Sequence, residues 1–247
     1  TESFAAFLVF CRLGSAFALL PGFGETFVSL RARLMCALAV SFEAPDGTKL
    51  GKTTGARIWL DAARTSPYQF FQHWMATDDR QVRQFLAQFT LLPMTEVDAL
   101  ALAHEAEPGA RMAQRRLAVE ATTLVHGPEA ARAAEAASAI LFGAPLDGVD
   151  AATLEVVAAE VPTTTVTRAE LDAGLDLADP MARDGLLTAS KGEARRALTQ
   201  GGVYVNGERV GEGATVGPDD VLAGAYVVLR RGKKAWAIAR CSWARPC

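Results

Sequence analysis

Lys49 and Lys52 stand three positions apart, with Gly47, Gly51 and Gly55 around them and Thr53 next in line. Two ammonium groups on a glycine-hinged loop can swing together onto a polyanion, and the Thr53 hydroxyl adds one more donor. Positive charge delivered where a leaving pyrophosphate develops its negative charge speeds the chemical step, because the contact strengthens in the transition state. Short Gly/Lys strings are usually solvated turns, and Gly51-Lys52-Thr53 also ends like a nucleotide-binding P-loop. The spacing rejects the P-loop: the position that must hold its first glycine is Asp46, and Gly47 is one residue too close.

A second set of cations gathers at the other end. Ser190 and Glu193 have capping-box spacing before a short helix, on which Lys191 and Arg195 lie one turn apart with Arg196 adjacent. Gly201-Gly202 stops that helix, and Val203-Tyr204-Val205, Asn206-Gly207 and Val210 predict a hairpin. A further hairpin runs from Tyr226-Val227-Val228-Leu229 to Trp236-Ala237-Ile238, through Arg230, Arg231, Gly232, Lys233 and Lys234. Its cationic tip suits backbone phosphates. The chain's net charge of -3 over 247 residues conceals this segregation: residues 1–60 carry +2, residues 61–185 carry -10 and residues 186–247 carry +5. The basic end is therefore the part fitted to a nucleic acid.

The elements between these ends read as helices. Ser66 caps a helix opened by Pro67, and apolar residues recur at helical spacing through Phe70, Phe71, Trp74, then Val82, Phe85, Leu86 and Phe89. Such a stripe is core before it is a binding surface. Thr95 and Asp98 resemble a capping box, an Ala/Arg helix runs from about Ala110 through Val125, and others cover Pro128 to Leu141 and Ala151 to Glu160. The β-branched run from Val161 to Thr167, with Pro162 inside it, is expected as an extended linker. Residues 4–20 are almost wholly apolar, but Arg12 at mid-span and the absence of a preceding positive charge argue against both an anchor and a secretory signal. Cys11, Cys36, Cys241 and Cys247 show no metal-ligand spacing and no disulfide framework, nor do His73, His104 and His126, so no protein-bound metal and a reducing, cytoplasmic setting are expected.

Lys49-Leu50-Gly51-Lys52-Thr53 resembles the KMSKS signature loop of class I aminoacyl-tRNA synthetases, in the variant carried by bacterial tyrosyl-tRNA synthetases, with Leu50 where the family often has Phe. The likeness continues in register through Trp59-Leu60-Asp61, Thr65 to Phe70, Thr77-Asp78-Asp79-Arg80 and Phe85 to Thr90, and again through Leu117 to Gly127 and Ala130 to Phe142. Ser190-Lys191-Gly192-Glu193-Ala194-Arg195-Arg196 and Gly202-Val203-Tyr204-Val205-Asn206-Gly207 are similar to the small RNA-binding domain that ends those enzymes. The resemblance begins near Ala44. It implies a mainly α, multidomain fold: residues 44–66 as signature loop and connector, 67–160 as a helical anticodon-binding bundle, 161–174 as a linker, and 175–240 as a small α+β RNA-binding domain, with 241–247 a disordered tail. It further implies that the catalytic Rossmann-like domain is largely missing, because the His-x-Gly-His-type motif and a Gly/Asp/Gln/Trp segment are absent and residues 1–43 do not match.

The resemblance also implies an activity: ATP-dependent attachment of tyrosine to tRNA-Tyr through tyrosyl-adenylate, the ATP carrying Mg2+, with Lys49, Lys52 and Thr53 on the departing pyrophosphate. The RNA would be held by Lys191, Arg195, Arg196, Arg231, Lys233 and Lys234. The family's homodimer assembles through the catalytic domain, which leaves a monomer open for this chain. A non-catalytic tRNA-binding module is the competing reading.

Overall fold

The computed structural model describes residues 58–242. Lys49, Lys52, Thr53, the apolar segment 4–20 and residues 243–247 lie outside them. The chain divides into two compact units between Ala131 and Arg132.

The first unit is helical. Its connector is pinned at Trp59, whose N–H donates to the Thr65 hydroxyl at 2.9 Å while the Arg64 guanidinium covers the indole ring at 4.4 Å. Helix α1 (Pro67–Met75) starts as expected, with Pro67 in its first turn and the Ser66 hydroxyl accepting from the Gln69 N–H. Helices α2 (Val82–Phe89) and α3 (Met94–Ala106) follow, and a 3-10 turn leads into α4 (Met112–His126), against which α1, α2 and α3 pack. The stripe of aromatics is the core: Trp74 meets Phe70, Phe85 and Phe89 with ring centroids 6.0, 6.1 and 4.6 Å away. Each such pair adds about 0.5–1.5 kcal/mol to the burial of its rings. The capping box expected at Thr95 and Asp98 is not formed. Pro93 is the residue before α3, Thr95 is inside the helix, and the Asp98 carboxylate accepts from Arg83 instead. Thr77 to Arg80 braces the unit: the Asp79 carboxylate accepts from Gln114 at 2.6 Å and lies 3.2 Å from His104, which is buried. Helix α5 (Pro128–Leu141) runs through the boundary between the units.

The second unit is built on a mixed five-stranded sheet. After α6 (Ala151–Glu160) come β1 (Thr163–Thr167), α7 (Arg168–Asp172), β2 (Leu175–Asp176), α8 (Ala178–Ala182), α9 (Lys191–Thr199), β3 (Val203–Val205), β4 (Glu208–Val210), β5 (Thr215–Val216), β6 (Tyr226–Arg231) and β7 (Ala235–Ser242). The sheet order is β1-β7-β6-β3-β4, with β1 parallel to β7 and the other pairs antiparallel; β2 and β5 form a small separate ribbon. One face, with Val203, Val205, Val227, Leu229, Ala237 and Ala239, shares a core with Leu171, Met181, Ala194 and Leu198 of the short helices. On the other face α6 packs against β7, and the Glu155 carboxylate accepts from the Tyr226 hydroxyl and Arg240.

Three sequence expectations change here. The run read as a linker is extended, but Thr163–Thr167 is a strand in register with Ile238 to Ser242, and Val166 is fully buried. Cys241 and Ser242, read as part of a disordered tail, belong to β7, and Cys241 is buried. Finally, α6 packs on the sheet of the second unit, although its sequence reads as a continuation of the helical segment.

Candidate nucleic-acid interface

Helix α9 places the first cations. Ser190 caps it, its hydroxyl accepting from the Glu193 N–H at 3.3 Å, but the reciprocal half of the expected capping box is shifted by one residue: Glu193 accepts from the Ala189 N–H. Ala194, Ala197 and Leu198 are buried, which turns Lys191, Arg195 and Arg196 outward. The turn residues Asn206 and Gly207 have φ of 51° and 89°, the left-handed pair a tight hairpin between β3 and β4 requires. Asn206 is held there by its own side chain, which accepts from the Val228 N–H and donates to the Asp220 carbonyl.

The six candidate cations are not equivalent. Lys191 is 2.6 Å from Asp179, Arg195 is 3.3 Å from Asp176, and Arg231 is 2.7 Å from Glu193 while also donating to the Leu187 carbonyl. The Ala189 N–H, and after it Arg231, holds the Glu193 carboxyl below its ordinary range, so this node stays charged at neutral pH. Arg231 thus ties the hairpin to the start of α9 and faces the core side of the sheet. Lys191 and Arg195 are more than half exposed, and such surface pairs contribute about 0–1 kcal/mol, so a phosphate can compete for them. Lys191, Asp179, Arg183, Ser190 and Ala182 line an open cavity of about 360 Å³. Arg196, Lys233 and Lys234 are exposed; Arg196 is close enough to Glu193 to help hold its carboxyl low, whereas among the described residues Lys233 and Lys234 have no carboxylate within ion-pair range.

One residue absent from the sequence-level set stands out. Arg230 lies over the ring of Tyr204, with its guanidinium carbon 4.0 Å from the centroid, and 5.1 Å from the centroid of Trp236. The three side chains are cross-strand neighbours on β3, β6 and β7. Period-two alternation carries the signal: Val227, Leu229 and Arg231 share one face of β6, so Arg230 must take the other. Lys49, Lys52 and Thr53 fall outside the described residues, so the loop has no geometry to set beside these.

The comparisons with known proteins also divide the chain in two, with the change between residues 143 and 153. A family profile described as "tRNA synthetases class I (W and Y)" matches residues 19–143, starting upstream of Ala44, and one described as "Tyrosine--tRNA ligase SYY-like C-terminal domain" matches residues 153–239. The tyrosine--tRNA ligase of Anaeromyxobacter dehalogenans is 48% identical over 196 residues, covering 78% of this chain and 46% of the relative. That of Opitutus terrae is 41% identical over 197 residues, covering 79% and 46%. The chain therefore spans about half the length of the curated relatives it matches. A C-terminally truncated mitochondrial tyrosyl-tRNA synthetase from Aspergillus nidulans is 35% identical, with 34% of this chain and 25% of that chain covered and a TM-score of 0.34.

Proposed function

The chain belongs to the class I tRNA synthetases of the W and Y group, on its tyrosine side, and from that premise we propose that it is the signature-loop and tRNA-binding portion of a tyrosine--tRNA ligase. The observation that carries this is the succession of two family matches along one chain, the second of which contains Lys233 and Lys234, exposed and without a carboxylate partner among the described residues.

In the reaction proposed, a tyrosine carboxylate oxygen attacks the α-phosphorus of Mg-ATP. The bond to the β-phosphate oxygen breaks, and pyrophosphate leaves with the bonding electrons. Lys49, Lys52 and Thr53 would meet that charge as it develops, an interaction stronger in the transition state than in the ground state. A terminal adenosine hydroxyl of tRNA-Tyr then attacks the tyrosyl carbonyl and AMP departs. The RNA is held meanwhile chiefly by Lys233 and Lys234, with Arg196 beside Glu193, and with Lys191, Arg195 and Arg231 secondary because each is in a direct ion pair with a carboxylate. Cytoplasmic location and a homodimer joined through the catalytic portion complete the reading. Among the described residues, no helix is long and apolar enough to cross a membrane.

The test is tyrosine-dependent exchange of pyrophosphate into ATP by the ligase with its catalytic portion present. Lys52→Ala should slow exchange with little change in tyrosine affinity; equal rates would remove the loop from the mechanism.

A further inference from the structure

Among the arginines of the second unit, Arg230 is positioned by rings where its neighbours are positioned by carboxylates. Arg183, Arg195, Arg231 and Arg240 each have an acidic partner within 4 Å; Arg230 lies between Tyr204 and Trp236 instead. Trp236 is only 8% exposed, and the Arg230 Nε is buried without a hydrogen-bond partner among the described residues. Side-on contact through Nε is therefore closed, which leaves the Nη1 and Nη2 end of the fork as the part able to bond. A guanidinium already fixed in plane between two rings loses little freedom when it binds, and its end-on geometry matches two phosphate oxygens. The surroundings are positive: Arg209 is paired in register with Tyr204, and Lys233 and Lys234 lie three and four residues along at the hairpin tip.

We propose that Arg230, clamped between Tyr204 and Trp236, is a preorganised fork for a backbone phosphate of RNA, extending the surface begun by Lys233 and Lys234 onto the sheet face opposite α9. This rests on the RNA-binding reading above and adds to it a residue that makes a directional, bidentate contact where the tip lysines act as point charges. Arg231, one position along the same strand, has no such part, because its guanidinium is already spent on Glu193 and the Leu187 carbonyl.

The experiment measures binding of a tRNA-Tyr transcript to the 247-residue chain by fluorescence anisotropy between 50 and 200 mM KCl. Arg230→Lys keeps the charge and the ring contact but removes the fork. It should weaken binding roughly five- to tenfold with the salt slope unchanged. Arg231→Lys, the same change next door, should weaken binding less than about twofold, and Tyr204→Leu, which loosens the clamp around an intact Arg230, about two- to threefold. Circular dichroism melting confirms that each variant is folded. If Arg230→Lys binds like the parent, or loses no more than Arg231→Lys, the fork is overturned while RNA binding stands. Absence of binding by the unaltered chain at 50 mM KCl overturns the RNA reading and the fork with it.

Discussion

Removing two cations from the hairpin tip should have a different effect from removing two cations from α9, although each change deletes the same net charge. Lys233 and Lys234 are exposed and have no carboxylate partner among the described residues, so each is free to neutralise a phosphate and release its counterion. Lys191 and Arg195 must first give up Asp179 and Asp176. Counterion release contributes about 0.7–0.9 to the slope of log affinity against log salt for each phosphate neutralised, so Lys233→Ala with Lys234→Ala should lower the slope by about 1.4–1.8. Across a fourfold rise in KCl, from 50 to 200 mM, the parent chain would lose on the order of 7–12 times more affinity than the tip variant. Lys191→Ala with Arg195→Ala should lower the slope by less than about 0.5, since each exchange of a carboxylate for a phosphate is nearly neutral. Anisotropy titrations of tRNA-Tyr at four salt concentrations give both slopes. Equal slopes for the two double variants would show that the RNA senses only summed charge, and would refute the distinction between paired and unpaired cations.

Two further outcomes concern the fold. Trp74→Ala removes the ring that touches Phe70, Phe85 and Phe89 and should destabilise the first unit by about 3–5 kcal/mol in urea unfolding; a loss below about 1 kcal/mol would mean that these rings do not form its core. Glu170 completes a capping box with Thr167, and its carboxyl is held at about 2, against 4.5 ordinarily, first by the Thr167 N–H and then by Arg183. A depressed carboxylate stabilises the folded state above its unfolded value and loses that stabilisation as pH falls toward the folded one. Glu170→Gln should therefore cost about 1 kcal/mol at pH 7, a figure discounted for solvent screening. The gap from the parent should persist down to about pH 5 and narrow between 4.5 and 2; a gap independent of pH would contradict the assignment.

What the sequence revealed follows the range of the interaction concerned. The start of α1 was legible because Ser66 and Pro67 act on their own first turn, and the β3–β4 hairpin because Asn206 and Gly207 tolerate positive φ. The strand β1 was not, since its Thr-rich, Pro-containing sequence gains a partner only in β7, far along the chain. Nor could the six cations be ranked, because Asp179 of α8 and Asp176 at the end of β2 meet α9 only in the folded unit. Arg230 was within reach: alternation along β6 separates it from Arg231. The motif Thr77 to Arg80 was visible as a family resemblance, but its bracing of His104 and Gln114 depends on helices that come later in the chain.

The parallel pairing of β1 with β7 also imposes an order of events during synthesis. Because β7 lies between β1 and β6, β1 has no strand to pair with, and β6 only β3, until Ala235 to Ser242 has cleared the ribosome. The aromatic helices of the first unit and the β3–β4 and β3–β6 pairings meet no such delay and can consolidate while translation continues, whereas β1 must wait and then close a long loop late.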